Sequence, residues 1–178
     1  APYFISGTDG DAECQGTDPS QNTEYISWRD QFANASTDDA CGNTTLSYTE
    51  GAWIVLDDCT VQTTVTVTAT DDCGLTETED FTFTITDTQL PTASNPAPIN
   101  VECVADVPAP DISVVTDGAD NCGVLVVSWV EDVSNGDSCE PVITRTYRVS
   151  DSCGNSIFVT QQISVEMPAF TLPANEAS

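Results

Sequence analysis

Histidine and lysine are absent from this 178-residue sequence, and arginine occurs only as Arg29, Arg145 and Arg148. Without histidine no His-based catalytic triad can be built, and without lysine Schiff-base chemistry is closed. No C-x-x-C pair occurs either. Together with the missing histidine, that excludes the usual Cys/His zinc sites and leaves nothing to begin a Cys-only one. No apolar run is long enough to span a bilayer, and Ala1 opens no charged and apolar leader, so export and anchoring signals are expected elsewhere in a longer protein. Paired carboxylates of a glycosidase kind remain conceivable among so many acids. Nothing nominates a particular pair, and the sequence reads as that of a non-enzyme.

What the chain does contain is acid. Aspartate and glutamate number 29, for a net charge of −26. Such a chain repels nucleic acid and anionic membranes. It attracts cations, and Ca²⁺ is the one that carboxylate and carbonyl oxygens suit best. Eight cysteines in this setting point to disulfides, and so to an oxidising, extracellular location.

The cysteines also reveal an internal repeat. Glu102-Cys103, Asp120-Asn121-Cys122-Gly123, Asp137-Ser138-Cys139 and Asp151-Ser152-Cys153-Gly154 follow one another in the second half. The first half answers with Glu13-Cys14, Asp39-Ala40-Cys41-Gly42, Asp57-Asp58-Cys59 and Asp71-Asp72-Cys73-Gly74. Cys59 to Cys73 and Cys139 to Cys153 are both 14 positions apart, and Cys41 to Cys59 is 18 against 17 for Cys122 to Cys139. Cys14 to Cys41 spans 27 positions where Cys103 to Cys122 spans 19, so the first copy carries an insertion around 20–36. The expected organisation is one repeat over 1–89, a second over 90–167, and the start of a third repeat or a linker over 168–178.

Between the cysteines the pattern has period two. Val61, Thr63, Val65, Val67 and Ala69 alternate with polar residues, as do Phe81, Phe83 and Ile85, and Val159, Ile163 and Val165. No segment shows helical spacing, and Val124 to Val130 reads as a strand buried on both faces. Short strands rich in Thr, Val and Ile between Asp/Asn/Gly turns predict an all-β chain of two tandem immunoglobulin-like sandwiches, each with two disulfides. Four cysteines allow three pairings per repeat. If consecutive strands run up and down, with Asp111 to Asp117 as one of them, the first cysteine meets the third and the second meets the fourth. The expected bridges are Cys14–Cys59, Cys41–Cys73, Cys103–Cys139 and Cys122–Cys153.

The same topology gathers acids at the sandwich ends: Asp38, Asp39, Asp71 and Asp72 at one, Asp57, Asp58 and Asp87 at the other, and Asp117, Asp120 and Asp151 in the second repeat. These ten are the candidate calcium ligands. Aspartate also suits turns through bonds to its own backbone, so each has a purely local reading too. The insertion holds Tyr25, Trp28, Arg29 and Phe32, which could form a stacking ligand surface, although core packing is the simpler role for Trp28. Tyr48 and Trp129, at matching positions, are expected in the core. Arg145 lies in phase with Ile143, Tyr147 and Val149, so it either snorkels at a sheet edge or pairs with a buried acid.

Asp120 to Gly123, Thr144-Arg145-Thr146-Tyr147 and Asp151 to Asn155, with Tyr48-Thr49-Glu50, Thr68-Ala69-Thr70-Asp71 and Ile85-Thr86-Asp87 in the first copy, carry a resemblance. The chain resembles the hyalin-repeat-like, immunoglobulin-like modules of giant Bacteroidetes surface proteins, the SprB-type gliding-motility adhesins. It departs from them in its insertion and in Leu75, where the second copy has Asn155. The resemblance implies an adhesin at the cell surface, attached to the outer membrane through parts outside this sequence, serving surface attachment or gliding. Its partners would be neighbouring repeats of the same chain and a surface or polysaccharide ligand. The competing reading is a carbohydrate-binding accessory module of a secreted multidomain protein.

Overall fold

Threonine-rich alternation builds the longest strands. The computed structural model describes residues 1–40, 42–137 and 140–166. In them run β1 (Tyr3–Ser6), β2 (Gly10–Glu13), the helix α1 (Thr23–Asp30), β3 (Ser36–Asp38), β4 (Thr44–Glu50), β5 (Ile54–Asp57), β6 (Thr60–Asp71), β7 (Thr76–Thr86), β8 (Ile99–Val101), β9 (Val126–Ser134), β10 (Val142–Ser150) and β11 (Ser156–Val165). The fold is all-β apart from α1 and short 3-10 turns, as the alternation predicts. The chain forms two compact units. The first takes Ala1–Leu90 together with the short stretches Asp120–Val124 and Asp151–Asn155; the second takes Pro91–Ala119, Leu125–Ser150 and the described residues from Ser156. The proposed third repeat over 168–178 lies outside the described residues.

In the first unit the main sheet has the order β2-β7-β6-β4, with β5 also pairing β6, and β1 and β3 form a separate ribbon. β6 and β7 are an antiparallel hairpin in register from Thr60↔Thr86 to Thr70↔Thr76. β2 lies parallel to β7, from Gly10↔Phe83 to Glu13↔Thr86. Val65, Val67 and Ala69 of β6 and Phe81, Phe83 and Ile85 of β7 point into the core, and the intervening residues are half-buried or exposed on the opposite face. Gly10 allows β2 to lie against Phe83, since a Cβ there would sit 2.4 Å from the Phe83 ring.

The insertion corrects two sequence expectations. It contains α1, an eight-residue helix where no helical spacing was evident. Asn22 caps it, its Oδ1 accepting from the backbone N–H groups of Glu24 and Tyr25 at 3.0 and 3.1 Å. A helix of two turns has room for a single apolar pair, here Tyr25 and Trp28 at i and i+3, too short a pattern to declare a period. Nor do these aromatics form a ligand surface. Tyr25 is 0% and Trp28 7% exposed. The Tyr25 ring lies 4.9 Å from Trp53 and 5.3 Å from Phe83, and Trp28 lies 5.0 Å from Phe83. Trp28 Nε1 donates to the Thr8 carbonyl at 2.9 Å, so its one polar atom is satisfied. Phe32 packs against the same core and against the Tyr48 ring. Arg29 is held by Asp30 and Glu50 at 2.8 and 2.7 Å, with its guanidinium 5.6 Å from the Tyr25 and Tyr48 rings.

The second unit has one sheet of order β8-β11-β10-β9, again with its first strand parallel to its last. Tyr147, Val149 and Val159 are its buried centre, flanked by Val114, Val115, Leu125, Val127 and Ile157. Arg145 does not snorkel but pairs with an acid, although that acid, Asp132, is exposed rather than buried. Arg145 itself is 2% exposed, and Nε and Nη2 grip Asp132 at 2.9 and 2.7 Å, with Nη2 also reaching the Pro108 carbonyl at 2.9 Å.

Three expectations fail in this unit. Asp111 to Asp117 is not a strand; it contains a 3-10 turn at Ile112–Val114, with Asp111 Oδ1 accepting from Ser113 N–H at 2.9 Å. The run Val124 to Val130 is not buried on both faces, because among the described residues β9 is the edge of the sheet and pairs with β10 alone. Trp129 is 48% exposed. It lies opposite the buried Tyr147 but on the edge strand, next to a bulge where the register jumps from Thr146↔Glu131 to Tyr147↔Trp129. Its Nε1 donates to Asp132 Oδ1 at 3.0 Å. In the first unit Tyr48, its counterpart, is likewise exposed rather than core.

Candidate metal centre

Asp87 directly follows β7, and Asp120 and Asp151 open the two short stretches that belong to the first unit. Each spends one carboxylate oxygen on its own turn. Asp87 Oδ1 accepts from Gln89 N–H at 3.3 Å, Asp120 Oδ2 from Cys122 N–H at 2.9 Å, and Asp151 Oδ1 from Asn155 N–H at 2.9 Å. Turn formation therefore accounts for one oxygen of each. It does not account for the others. Asp87 Oδ2, Asp120 Oδ1 and Asp151 Oδ2 are buried without a hydrogen-bond partner, and ligand oxygens of the three carboxylates lie within 4.8 Å of one another. Asp87 is 5% and Asp151 6% exposed.

Three buried, mutually facing anionic oxygens are costly unless something positive joins them. The strain registers on Asp87. Burial, then the Asp120 charge, push its carboxyl above the ordinary value, with Asp151 adding to them, while hydrogen bonds from the Cys153 thiol and Gln89 N–H pull the other way. An oxygen set with a formal charge of −3 suits a hard divalent cation, so these residues fit Ca²⁺. Two neighbours adjoin the three aspartates: Asn121, which stands next to Asp120 in the sequence cluster, and Glu13, which was not read as a site residue. Asn121 Oδ1 is also buried without a partner, while its Nδ2 donates to the Cys14 carbonyl at 2.7 Å. Glu13 accepts from Thr88 N–H and Oγ1 at 2.9 and 2.7 Å, which holds the segment just after Asp87. Burial alone would raise the Glu13 carboxyl; its hydrogen bonds from Thr88 and Asn121 outweigh that and lower it. The signal for Glu13 was present in the sequence, since Glu-Cys stands at the start of both copies.

The matching acids of the first copy behave in a parallel way. Asp39 corresponds to Asp120 and Asp71 to Asp151. The Ala1 ammonium lies 3.3 Å from Asp39 Oδ1 and 3.9 Å from Asp71 Oδ2. Asp71 Oδ1, like its counterpart, serves its own turn, accepting from Cys73 and Leu75 N–H groups, both at 2.9 Å.

The remaining five acids are dispersed. Asp38 accepts from the Tyr3 hydroxyl at 3.1 Å, Asp57 from Cys59 N–H at 2.9 Å, Asp72 from Asn43 N–H at 3.1 Å and Asp117 from Ser94 N–H at 3.0 Å. Asp58 is exposed.

The disulfides require a correction. Cys14 is bonded to Cys122, not to Cys59, and Cys122 is therefore not bonded to Cys153. The sheet order explains why. Cys14 N–H donates to the Thr86 carbonyl at 3.1 Å, and Asp87 N–H donates to the Cys59 carbonyl at 3.0 Å, so Cys14 and Cys59 flank β7 on opposite sides. Two strand spacings separate them, roughly 9–10 Å, beyond the ~7 Å that a disulfide can bridge. The expected pairs Cys41–Cys73 and Cys103–Cys139 each have a member, Cys41 or Cys139, outside the described residues.

Residues 91–165 match the family of the HYR-like domain with 4 cysteines. No curated protein matches the sequence significantly. Among solved structures, Drosophila N-cadherin EC1-4 is similar at 11% identity with a TM-score of 0.38, over 93% of this chain and 49% of that one. Mouse Cadherin-23 EC22-24 is similar at 9% identity and a TM-score of 0.36, over 94% and 66%. Human CDH23 EC21-23 follows at 12% and 0.33, over 91% and 63%. The chain thus spans about half the length of the N-cadherin fragment. Likeness at this level says nothing of ligands or partners.

Proposed function

We propose that the chain is a non-catalytic adhesive and structural repeat segment of a large extracellular, cell-surface protein, stiffened by Ca²⁺ bound at Asp87, Asp120 and Asp151. The observation that carries the reading is the convergence of three carboxylates, each of which has a buried oxygen without a hydrogen-bond partner. An ion there would join the end of β7 to two stretches more than thirty residues further along the chain, replacing mutual repulsion with a cross-link. Asn121 Oδ1 is available as a neutral oxygen, and water would complete the six to eight ligands that Ca²⁺ takes. The resemblance to gliding adhesins extends the proposal to surface attachment or gliding motility, with neighbouring repeats as the principal partners. The carbohydrate-binding reading loses its aromatic platform, because Tyr25 and Trp28 are spent in the core.

A calcium titration followed by NMR or calorimetry tests the ion. One saturable event is expected, with a Kd of order 10⁻⁴ to 10⁻³ M as in extracellular modules, lost in Asp120→Asn. No saturable binding up to 20 mM, or binding that Asp120→Asn leaves unchanged, overturns it.

A further inference from the structure

Four cysteines, Cys14, Cys59, Cys122 and Cys153, line one cavity of about 400 Å³ in the first unit, together with Asp58 and Asp87. Only one pair, Cys14 with Cys122, is bonded there. The other two stand in the equivalent relation. Cys14 and Cys59 flank the end of β7 on its two sides, one through Thr86 and the other through Asp87. Cys122 and Cys153 each sit two residues after one of the facing aspartates, Asp120 and Asp151. With Cys14 joined to Cys122 on one side of β7, the partner left for Cys59 on the other side is Cys153. The Cys153 sulfur lies 3.7 Å from the carbonyl oxygen of Asp58, the residue next to Cys59.

We propose that Cys59 and Cys153 close a second disulfide, so that two parallel bridges clamp the Asp120–Val124 and Asp151–Asn155 stretches to either side of Asp87. The reaction is thiol–disulfide exchange with a small-molecule or protein disulfide of an oxidising compartment. The thiolate of one cysteine attacks a sulfur of the oxidant and expels one thiol. The second cysteine then displaces the mixed disulfide and expels the other, so two electrons and two protons pass from Cys59 and Cys153 to the oxidant. In the dithiol form Cys153 is held protonated, by burial first and then by Cys59 and the Asp87 charge. The bridge itself does not depend on any ion being bound.

The test is peptide mapping of the whole chain, refolded in a glutathione redox buffer, after alkylation of free thiols and non-reducing cleavage at acidic residues. The expected products are a Cys59–Cys153 linked peptide beside a Cys14–Cys122 one, with neither Cys59 nor Cys153 alkylated even under denaturant. The variant Cys59→Ser should release a single new thiol, at Cys153. Linked peptides pairing Cys14 with Cys59 and Cys122 with Cys153, or a label appearing at Cys14 in Cys59→Ser, overturn the proposal. So does full alkylation of Cys59 and Cys153 in oxidised wild type. The same map made in EDTA gives the same bridges, so a failure of calcium binding leaves this result intact and the two proposals are judged separately.

Discussion

Replacing Asp151 with asparagine should stabilise the calcium-free protein and abolish its stabilisation by calcium. Asparagine keeps an oxygen to accept from Asn155 N–H, now at 2.9 Å to Asp151 Oδ1, and replaces the unpartnered Oδ2 with a neutral amide. Two unit charges within 4.8 Å repel by about 3 kcal/mol at an effective dielectric near 20. Solvent and salt screen part of this, so a net gain of about 1–2 kcal/mol is expected in EDTA. Calcium acts in the opposite sense on wild type. At 10 mM and a Kd of about 10⁻⁴ to 10⁻³ M, mass action contributes roughly 1.4–2.7 kcal/mol. For a unit of about 100 residues that is a rise in Tm of roughly 6–20 °C. Differential scanning calorimetry of wild type and Asp151→Asn, each in EDTA and in 10 mM CaCl₂, should give melting curves that cross. A variant less stable than wild type in EDTA, with wild type indifferent to calcium, would refute the electrostatic reasoning.

Other perturbations probe the frame that holds the site. Trp28→Ala removes a ring packed on Phe83 and orphans the Thr8 carbonyl, and should cost about 3–5 kcal/mol in urea unfolding of the first unit. Gly10→Ala drives a Cβ to 2.4 Å from Phe83 and should destabilise the same unit by about 1–3 kcal/mol. Arg145→Met leaves Asp132 without its partner; because that carboxylate is partly solvated, the loss should fall near or below the low end of the roughly 3–5 kcal/mol typical of broken buried pairs. Hydrogen bonding from Arg145 lowers the Asp132 carboxyl below its ordinary 3.8. The pair's contribution is therefore complete above that value and is lost as pH falls through the lower folded one. Denaturation of the second unit between pH 6 and pH 2 should show this acid-side loss in wild type and a flatter profile in Arg145→Met.

Much of the fold was legible because β6, β7 and β11 obey strict alternation: Val65, Val67 and Ala69, or Phe81, Phe83 and Ile85, can face one side only. The helix was not, since Tyr25 and Trp28 are its only buried residues and its announcement rests on one capping asparagine. Trp129 was misplaced because it sits on β9, and the edge position of that strand is a matter of sheet order with no local signature. The bridges were misread for a related reason. Cysteine order along the chain says nothing of β7 lying between Cys14 and Cys59, which only the sheet order β2-β7-β6 reveals. As for the acids, ten candidates were visible, and three converge. What distinguishes Asp87, Asp120 and Asp151 is that each has one oxygen satisfied by its turn and one left over, a distinction of geometry that residue type does not carry.

The most direct test is a crystal structure of the chain grown in calcium. The account predicts a calcium peak about 2.3–2.6 Å from Asp87 Oδ2, Asp120 Oδ1 and Asp151 Oδ2. Well-ordered carboxylates with only water between them, or calcium bound elsewhere on the chain while these three stay apart, would contradict it.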